Sequence, residues 1–573
     1  MKRLLHYLKG YTVESILGPL FKLFEATLEL IVPLVIAAII DNGISAGDNG
    51  YVVKMCLVLL LLGAVGLAFS VTAQYFAAKA AVGCVSKMRS ALFTHIGTLS
   101  YPELDRLGTS TMITRMTADT NQVQTGVNLA LRLLLRSPFV VFGAMIMAFT
   151  IDFDSAIIFA LVIPLLSAVV FGIMLASIPL YKKVQGRLDK VVSKTRENLS
   201  GARVIRAFCK EEDEVEEFSK RNDALKSEQS FVGAISALMN PITYVIINLA
   251  IIFLIYTGAI RVNSGDLTDG QVIALYNYMS QILVELIKMA NLIITITKAT
   301  ASAGRISSVF DIEPSIKDGK YTEGIDCEYA VEFDGASIAY GSASEEALTD
   351  VSFKARRGET VGIIGGTGSG KTTLVNLIPR FYDVTAGEVR IDGRSVKDYT
   401  RASLTKKISV VPQKAVLFAG SIRENMLWGN ESASDEDIMR ALKIAQAEKV
   451  VEDKGGLDAK IEQGGKNLSG GQRQRLTIAR ALVGKPEILI LDDSASALDF
   501  ATDAALRAAI RNMDGGATVF IVSQRASSIM YADKIIVLDD GRAVNIGTHE
   551  ELLAASPVYR EIYDSQFDSD SKS

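Results

Sequence analysis

Residues 365–372 of the chain read Gly-Gly-Thr-Gly-Ser-Gly-Lys-Thr, which fits the pattern G-x-x-x-x-G-K-[ST] of a phosphate-binding loop. An apolar, β-rich run at 360–364 precedes the loop, and apolar residues at helical spacing follow it at 373–378. The sequence therefore predicts a buried strand, the loop and then a helix, which is the context that this motif requires. A glycine-rich turn before a helix can be ordinary packing, but the lysine and the hydroxyl residue in this context favour phosphate binding.

The residue types of the loop suit a nucleoside triphosphate with Mg²⁺. Glycines allow successive backbone N–H groups to curl around phosphate oxygens, and the following helix presents its positive end to them. Lys371 adds a charge for the β- and γ-phosphates, and Thr372 supplies a hydroxyl for Mg²⁺. The residues predicted to bind the nucleotide here are Gly365, Thr367, Gly368, Ser369, Gly370, Lys371, Thr372 and Thr373.

The composition divides the 573-residue chain into a membrane half and a soluble half. Mean hydropathy is +0.28 and 49% of the residues are hydrophobic, which is too apolar for a soluble protein. Most long uncharged runs lie before residue 305, and charged, glycine-rich sequence follows. The net charge of −4 offers no basic surface for nucleic acid, and the four cysteines lack metal-ligand or disulfide spacing.

Six apolar segments are long enough to cross a membrane as helices, which takes about 20 residues each. They lie at about 14–40, 55–78, 126–151, 155–181, 231–260 and 271–300. The long connections at about 79–125 and 182–230 are rich in Lys and Arg, so both are predicted to be cytoplasmic. Both termini are then cytoplasmic, and a bacterial plasma (inner) membrane is the expected location. Helical periodicity continues through these connections, with short crossing segments expected near 101–112 and 205–215.

Several charged or polar residues lie inside the spans, where charge is costly. They are Glu25 and Glu29 in the first span, Arg132 and Arg136 in the third, and Gln281, Glu285 and Lys288 on one face of the sixth. One interpretation is that they lie near the headgroups or pair with each other. The other is that Glu285 and Gln281 line a water-filled central cavity and contact a polar or cationic substrate.

The predicted fold is multidomain, with an all-α six-helix transmembrane domain followed by an α/β P-loop ATPase domain. A change of composition at 301–325 marks the linker between them. The predicted bounds are 1–304 for the transmembrane domain, 305–329 for the linker, 330–564 for the nucleotide-binding domain and 565–573 for a disordered tail.

The soluble half carries two further motifs. The apolar strand at 488–491 ends in Asp492, a carboxylate that suits the Mg²⁺ side of the site. Residues 468–472 read Leu-Ser-Gly-Gly-Gln and open a helical stretch, which gives a second helix N-terminus for an anion. A serine-capped helix is common on its own. Here, however, the Leu-Ser-Gly-Gly-Gln motif lies shortly before Asp492 in a chain with a phosphate-binding loop. That combination makes the motif the most specific signal in the sequence.

With GGTGSGKTT, LSGGQRQR, LILDD and SALD in this order and spacing, the sequence resembles the ABC transporter family over essentially its whole length. The resemblance is to exporters whose membrane half precedes the nucleotide domain in one chain. It implies an ABC-type ATPase domain that binds ATP and Mg²⁺ and works as a dimer in a lipid bilayer. The crossing segments then resemble coupling helices, and ATP would switch the membrane cavity between inward- and outward-facing states.

The resemblance also implies roles for residues outside the phosphate-binding loop. Tyr340 corresponds to the aromatic residue that stacks on adenine, and Gln413 to the glutamine that touches Mg²⁺ and reports to the membrane helices. The signature that clamps the γ-phosphate held by the opposing chain corresponds to Ser469, Gly470, Gly471 and Gln472. Asp499 corresponds to the loop that communicates across the dimer.

Two positions depart from the family pattern. The family has Glu after the Mg²⁺ aspartate as general base, whereas this chain has Asp493, which is one methylene shorter. The family has His in a late strand-end loop, where this chain has Gln524. A base must reach its proton at roughly 2.6–3.2 Å, so a retracted carboxylate should work poorly. Gln can hydrogen-bond a γ-phosphate but cannot carry a positive charge.

These departures predict one half of a heterodimeric exporter of drugs or amphipathic compounds. The chain's own site would bind ATP but hydrolyse it slowly, while its intact signature completes a competent site on a partner half-transporter with Glu and His. One alternative is a homodimeric lipid or drug exporter in which Asp493 acts as base. Another is an ATP-gated channel or regulatory membrane protein. An importer is less favoured because importers usually carry the two parts on separate chains.

Overall fold

The computed structural model describes residues 6–340, 346–494, 496–513 and 515–567. The chain forms two compact units. One comprises Met1–Gly97 and Gly108–Ile312, and the other comprises Thr98–Leu107 and Glu313–Ser573. The boundary between the units falls inside the predicted linker at 305–329.

The first part of the chain is helical throughout. Its helices are α1 (Thr12–Ala38), α2 (Asn49–Thr98), α3 (Tyr101–Leu107), α4 (Thr109–Thr114), α5 (Thr120–Leu133), α6 (Arg136–Ile151), α7 (Phe153–Ser200), α8 (Ala202–Ala207), α9 (Glu211–Ala237), α10 (Met239–Ser264) and α11 (Asp269–Phe310). A 3₁₀ turn at His6–Tyr11 precedes α1, and π-helical turns lie at Ile39–Ile44 and Arg115–Asp119.

Within the described residues, six helical stretches are long and apolar enough to cross a membrane. They are His6–Ile44, Asn49–Thr98, Thr109–Ile151, Phe153–Ser200, Glu211–Ser264 and Asp269–Phe310. Each of the six predicted spans lies within one of them. Their lengths of 39 to 54 residues exceed the roughly 20 needed for the hydrocarbon core. For the second to fifth stretches, the periodicity of the long connections predicted this extension.

Local sequence explains where several of these helices begin and end. The Asp152 carboxylate caps α7 by accepting a bond of 2.8 Å from the Ser155 N–H. Thr268 and Gln271 form a capping box at the start of α11. At its other end α11 continues to Phe310, through the first residues of the predicted linker, because Ile306 and Val309 are buried against the unit.

Charged side chains in the spans pair with each other, as one of the two interpretations predicted. Lys22 Nζ lies 2.5 Å from Glu25, and Arg136 contacts both Glu29 and Glu285 at 2.5 and 2.7 Å. The Glu285 carboxylate is buried in these contacts, and Glu285 and Gln281 also line a cavity, as the other interpretation predicted. Whether Glu285 contacts a substrate stays a prediction.

The second unit combines sheets and short helices. Its strands are β1 (Tyr329–Ile338), β2 (Leu348–Arg356), β3 (Thr360–Gly365), β4 (Ala386–Ile391), β5 (Arg394–Ser395), β6 (Ile408–Val411), β7 (Gly420–Ser421), β8 (Lys460–Ile461), β9 (Ile488–Asp492), β10 (Thr518–Val522), β11 (Lys534–Asp539) and β12 (Arg542–Gly547). Its helices are α12 (Lys371–Leu377), α13 (Arg401–Lys407), α14 (Ile422–Leu427), α15 (Asp435–Ile444), α16 (Glu448–Lys454), α17 (Gly470–Val483), α18 (Phe500–Arg511), α19 (Ala526–Ile529), α20 (His549–Ala555) and α21 (Pro557–Phe567).

The central sheet has the order β12-β11-β3-β10-β9-β6, and its strands are parallel except for β12. Val522 at the end of β10 pairs with Ile363 of β3 on one side and Asp492 of β9 on the other. The carboxyl ends of three neighbouring strands therefore meet at one edge, where ligands bind in open α/β sheets. A separate antiparallel sheet has the order β2-β1-β4-β5.

Helix α3 belongs to the second unit although it lies among the membrane helices in sequence. The Tyr101 ring stacks on Phe381 at 4.3 Å between centroids, and the Tyr382 hydroxyl donates to Asp105. Both partners follow α12, the helix that begins in the phosphate-binding loop. Residues 101–107 of the first predicted crossing segment, 101–112, thus pack next to nucleotide-site elements, and residues 108–112 belong to the first unit. The second predicted segment, near 205–215, corresponds to α8 and the start of α9 in the first unit.

Candidate nucleotide site

The phosphate-binding loop connects β3 to α12, as the sequence predicted. Lys371 Nζ donates to the carbonyl oxygens of Gly365 at 2.9 Å and Gly366 at 2.6 Å, so its ammonium lies across the loop. Gly370 has φ +92°, and a Cβ there would meet the Ala347 carbonyl oxygen at 2.7 Å, so only glycine fits. By contrast, the Cα atoms of Gly366 and Gly368 face open space, with no atom within 4 Å of a Cβ built there among the described residues.

These features fit a polyphosphate. Burial lowers the pKa of the Lys371 ammonium, while the nearby carboxylates of Asp493 and Asp492 act in the opposite direction. The hydrogen-bond partners of this ammonium are the neutral carbonyl oxygens of Gly365 and Gly366 and the Ser369 hydroxyl, so the buried cation is under-compensated. An anion over the open side of the loop would correct this. The loop therefore matches the nucleotide's phosphates in shape and in charge.

Two of the residues predicted to bind Mg²⁺, Thr372 and Asp492, contact each other, while the third, Gln413, contacts Asp493. The Thr372 hydroxyl donates to Asp492 Oδ1 at 3.1 Å, and burial raises the pKa of that carboxyl. No group of three or more His, Cys, Asp or Glu within the described ranges could hold a metal. Two hard oxygen donors suit Mg²⁺, which binds one or two carboxylates and takes its other ligands from phosphates and water.

Asp493 is adjacent to Gln413 in the structure. Gln413 Nε2 donates to Asp493 Oδ2 at 3.2 Å, and the Asp493 N–H donates to the Val522 carbonyl at 3.0 Å. Its backbone is left-handed, with φ +45°, which Asp tolerates better than most residues. Of the two Asp493 carboxylate oxygens that could take a proton from water, one therefore already accepts a hydrogen bond from Gln413.

Tyr340 lies beside the loop that would hold the phosphates. Its hydroxyl donates to Thr373 Oγ1 at 3.1 Å, and its ring meets Tyr382 edge-on at 5.1 Å between centroids. Burial raises the pKa of the Tyr340 hydroxyl, and the ring is still partly exposed, as a stacking surface must be. Residues 341–345, which follow it, lie outside the described part of the chain.

The signature residues lie apart from the phosphate-binding loop. Ser469 caps α17 by accepting from the Gln472 N–H at 3.2 Å, and Gln472 Oε1 accepts from the Ser469 N–H at 2.9 Å. Gly470 opens the helix with space around it, and Gly471 lies against Ala497. Asp499 caps α18 through the Thr502 N–H, which lowers the pKa of its carboxyl. Within the described residues, none of these side chains bonds to the loop at 365–373.

The loop that carries Gln524 is held by a residue that the sequence did not reveal. Gln566 Nε2 donates to the Gln524 carbonyl at 2.8 Å, and Gln566 Oε1 accepts from the Ala526 N–H at 2.8 Å. The amide group therefore spans the loop from the last helix, α21. Because it fixes the backbone and leaves the Gln524 side chain exposed, Gln566 is a positioning residue.

Comparison with known proteins agrees with this geometry. Residues 15–286 match the family model for the ABC transporter transmembrane region, and residues 348–496 match the ABC transporter model. The chain is 36% identical to the ABC transporter ATP-binding protein YfiB of Bacillus subtilis, over 99% of both chains. The chain belongs to the ABC transporter family. It is a fused half-transporter with an ATPase domain.

Other relatives are informative about fold and activity class. The chain is 34% identical to an ATP-dependent lipid A-core flippase of Desulfotalea psychrophila, over 84% of both chains. The solved structure of a bacterial Atm1-family ABC exporter with ATP bound superposes with a TM-score of 0.80, covering 98% of this chain and 99% of that one at 23% identity. The half-transporter therefore has an exporter-type fold, and the predicted order of its two domains is confirmed.

Proposed function

We propose that this half-transporter is the degenerate-site subunit of a heterodimeric exporter that moves amphipathic compounds across the plasma membrane. The contact between Asp493 and Gln413 carries the proposal. When bound, ATP with Mg²⁺ would supply the phosphoanhydride whose hydrolysis drives transport. The chain's own residues bind and orient the phosphates well, whereas they are poorly suited to moving a proton from water.

The residues expected to bind ATP and Mg²⁺ match the family pattern. Lys371 and the loop backbone offer charge and N–H groups to phosphate, and Thr372 with Asp492 offers oxygen ligands to Mg²⁺. Tyr340 offers an aromatic face next to the loop. These groups support tight nucleotide binding without requiring turnover.

The two residues that depart from the family pattern are those expected to act in ATP hydrolysis. Asp493 is shorter than the family's Glu, and one of its oxygens already accepts from Gln413 at 3.2 Å. Gln524 replaces the family's His and has no positive charge to stabilise a developing phosphate charge. Proton removal by a general base and charge stabilisation each contribute on the order of 10²–10³ in rate, so a site lacking both should turn over very slowly.

The signature offers the second argument for a partner. Ser469 and Asp499 are satisfied by their own helices, so the N-terminus of α17 is ordered without contact to this chain's loop. An ordered, open helix N-terminus suits an anion held by another chain. A partner with Glu and His would place its own ATP there and hydrolyse it.

A homodimeric lipid exporter is the second candidate, and the similarity to lipid A-core flippases favours it. Mass measurement separates the two. The half-transporter is tagged at its chromosomal locus and purified from its host in detergent. Native mass spectrometry is then expected to show a 1:1 complex with a second ABC half-transporter, which has Glu and His at the positions of Asp493 and Gln524. A dimer of two 61.9 kDa copies would contradict the heterodimer.

A further inference from the structure

The membrane unit contains a cavity between α1, α6 and α11 that encloses about 320 Å³. Its polar lining includes Glu29, Gln281 and Lys288. Its apolar lining includes Val32, Val140 and Val284. This volume falls in the range of sites for small molecules, which are largely apolar with a few placed polar groups.

Four charged side chains form an alternating chain along this cavity. Glu29 Oε2 accepts from Arg136 at 2.5 Å, Arg136 donates to Glu285 Oε1 at 2.7 Å, and Lys288 donates to the same Glu285 oxygen at 2.8 Å. Ser137 donates to the other Glu285 oxygen at 2.8 Å. The order of charge along the chain is therefore negative, positive, negative, positive.

The inner and outer members of the chain differ in exposure. The Arg136 and Glu285 side chains are 7% and 3% exposed, so they neutralise each other out of contact with solvent. Glu29 and Lys288 are 41% and 43% exposed. Glu285 also lines the cavity, but its two oxygens already accept from Arg136, Lys288 and Ser137. The cavity thus meets one exposed carboxylate, Glu29, and one exposed ammonium, Lys288, each only partly compensated by its buried neighbour.

Stability alone is a weak reason for this arrangement. A buried ion pair seldom stabilises a protein more than apolar residues of the same volume, and charged residues inside a membrane usually mark a substrate or ion path. Gln281 Oε1, which also lines the cavity side of α11, is buried and has no hydrogen-bond donor among the described residues. An unsatisfied buried acceptor indicates a missing donor.

We infer that the cavity binds a zwitterionic amphiphile, a molecule with one cationic group, one anionic group and an apolar chain. This rests on the proposed function and names its substrate class. Glu29 pairs with the ligand's cation, Lys288 with its anion, and Gln281 accepts from a ligand N–H or O–H. The valine walls contact the apolar chain. A ligand with one charge leaves either Glu29 or Lys288 with only its partner in the protein, Arg136 or Glu285, in a site that the ligand has dehydrated.

The test uses the transporter as it assembles in its host, reconstituted into vesicles of fixed composition. ATP-dependent translocation is measured for tail-labelled phosphatidylethanolamine, for phosphatidylglycerol with the same tail, and for a trimethylammonium lipid with the same tail. The zwitterionic lipid should be favoured over both singly charged lipids by at least about tenfold, the effect of one charge-assisted hydrogen bond. Tail-less glycerophosphoethanolamine should compete far less well than lysophosphatidylethanolamine, which has the same headgroup and one apolar tail.

Two variants assign the two charges. Lys288→Gln should abolish the preference for the zwitterion over the trimethylammonium lipid, and Glu29→Gln should abolish the preference over phosphatidylglycerol. Lys298→Gln, an exposed position on the same helix outside the cavity lining, is the matched control and should keep both preferences.

The outcomes separate this inference from the proposed function. ATP-dependent translocation of all three lipids without preference, or equal competition by the tail-less headgroup, would overturn the zwitterionic amphiphile and leave export intact. Preferences that survive in both variants would also overturn it. Absence of ATP-dependent movement of any lipid would overturn both claims.

Discussion

The double substitution Asp493→Glu and Gln524→His is expected to raise ATP hydrolysis at this chain's own site by at least roughly 10²–10³-fold, the contribution of one such group. Glu adds the methylene that brings a carboxylate closer to the water, beyond the bond that Asp493 makes to Gln413. His adds a group that can be positively charged next to the phosphates. Steady-state phosphate release is measured in the assembled dimer, with the partner's phosphate-loop lysine replaced so that only this site contributes.

Two controls make this result interpretable. Adding Lys371→Met to the double variant should remove the gain, because the loop then loses the ammonium that lies across its carbonyls. Each single substitution should give only part of the gain, since base and charge act on the same step. An assembled dimer in which the double variant hydrolyses no faster would show that Asp493 and Gln524 do not limit the rate.

Glu285→Gln is expected to destabilise the membrane unit by about 3 kcal/mol, because removing one partner of a buried ion pair leaves the other uncompensated. Arg136 would keep only the half-exposed Glu29 carboxylate. The measurement is the thermal unfolding midpoint in detergent micelles, compared with Lys298→Gln as an exposed control on the same helix. The double variant Arg136→Met, Glu285→Leu should recover most of the loss, since apolar replacement of a whole buried pair is often neutral.

This experiment also decides between the two interpretations of the charges in the spans. If Glu285 is a positioning residue, its effect on transport should follow its effect on stability and be shared by the double variant. An unchanged unfolding midpoint with altered substrate range would instead make Glu285 a direct substrate contact.

The strand, loop and helix of the candidate nucleotide site were predictable from sequence because they are local. The loop at 365–372 carries its strand and helix beside it, and Asp492 ends an apolar run. The loop and Asp492 lie near each other because their strands, β3 and β9, both neighbour β10 in the sheet. The six spans were predictable for a similar reason, because helix length and apolarity are properties of one contiguous segment.

Contacts between distant segments were not predictable in this way. Gln566 lies 42 residues after Gln524 and has no motif around it, so its two bonds to the loop follow only from how α21 packs. The same holds for the bond from Gln413 to Asp493, 80 residues apart. Helical spacing placed Glu285 on one face of its span, but the partner on another helix, Arg136, could be found only in three dimensions.

The central claim, a site that binds ATP but hydrolyses it slowly, is tested most directly on this chain purified alone in lipid. Nucleotide binding and steady-state ATPase activity are measured on the same sample, with Lys371→Met as the binding-deficient control. The account predicts tight ATP binding with negligible turnover. Turnover in the usual enzyme range, about 1–10 s⁻¹, would contradict it and make Asp493 a sufficient base in a homodimer.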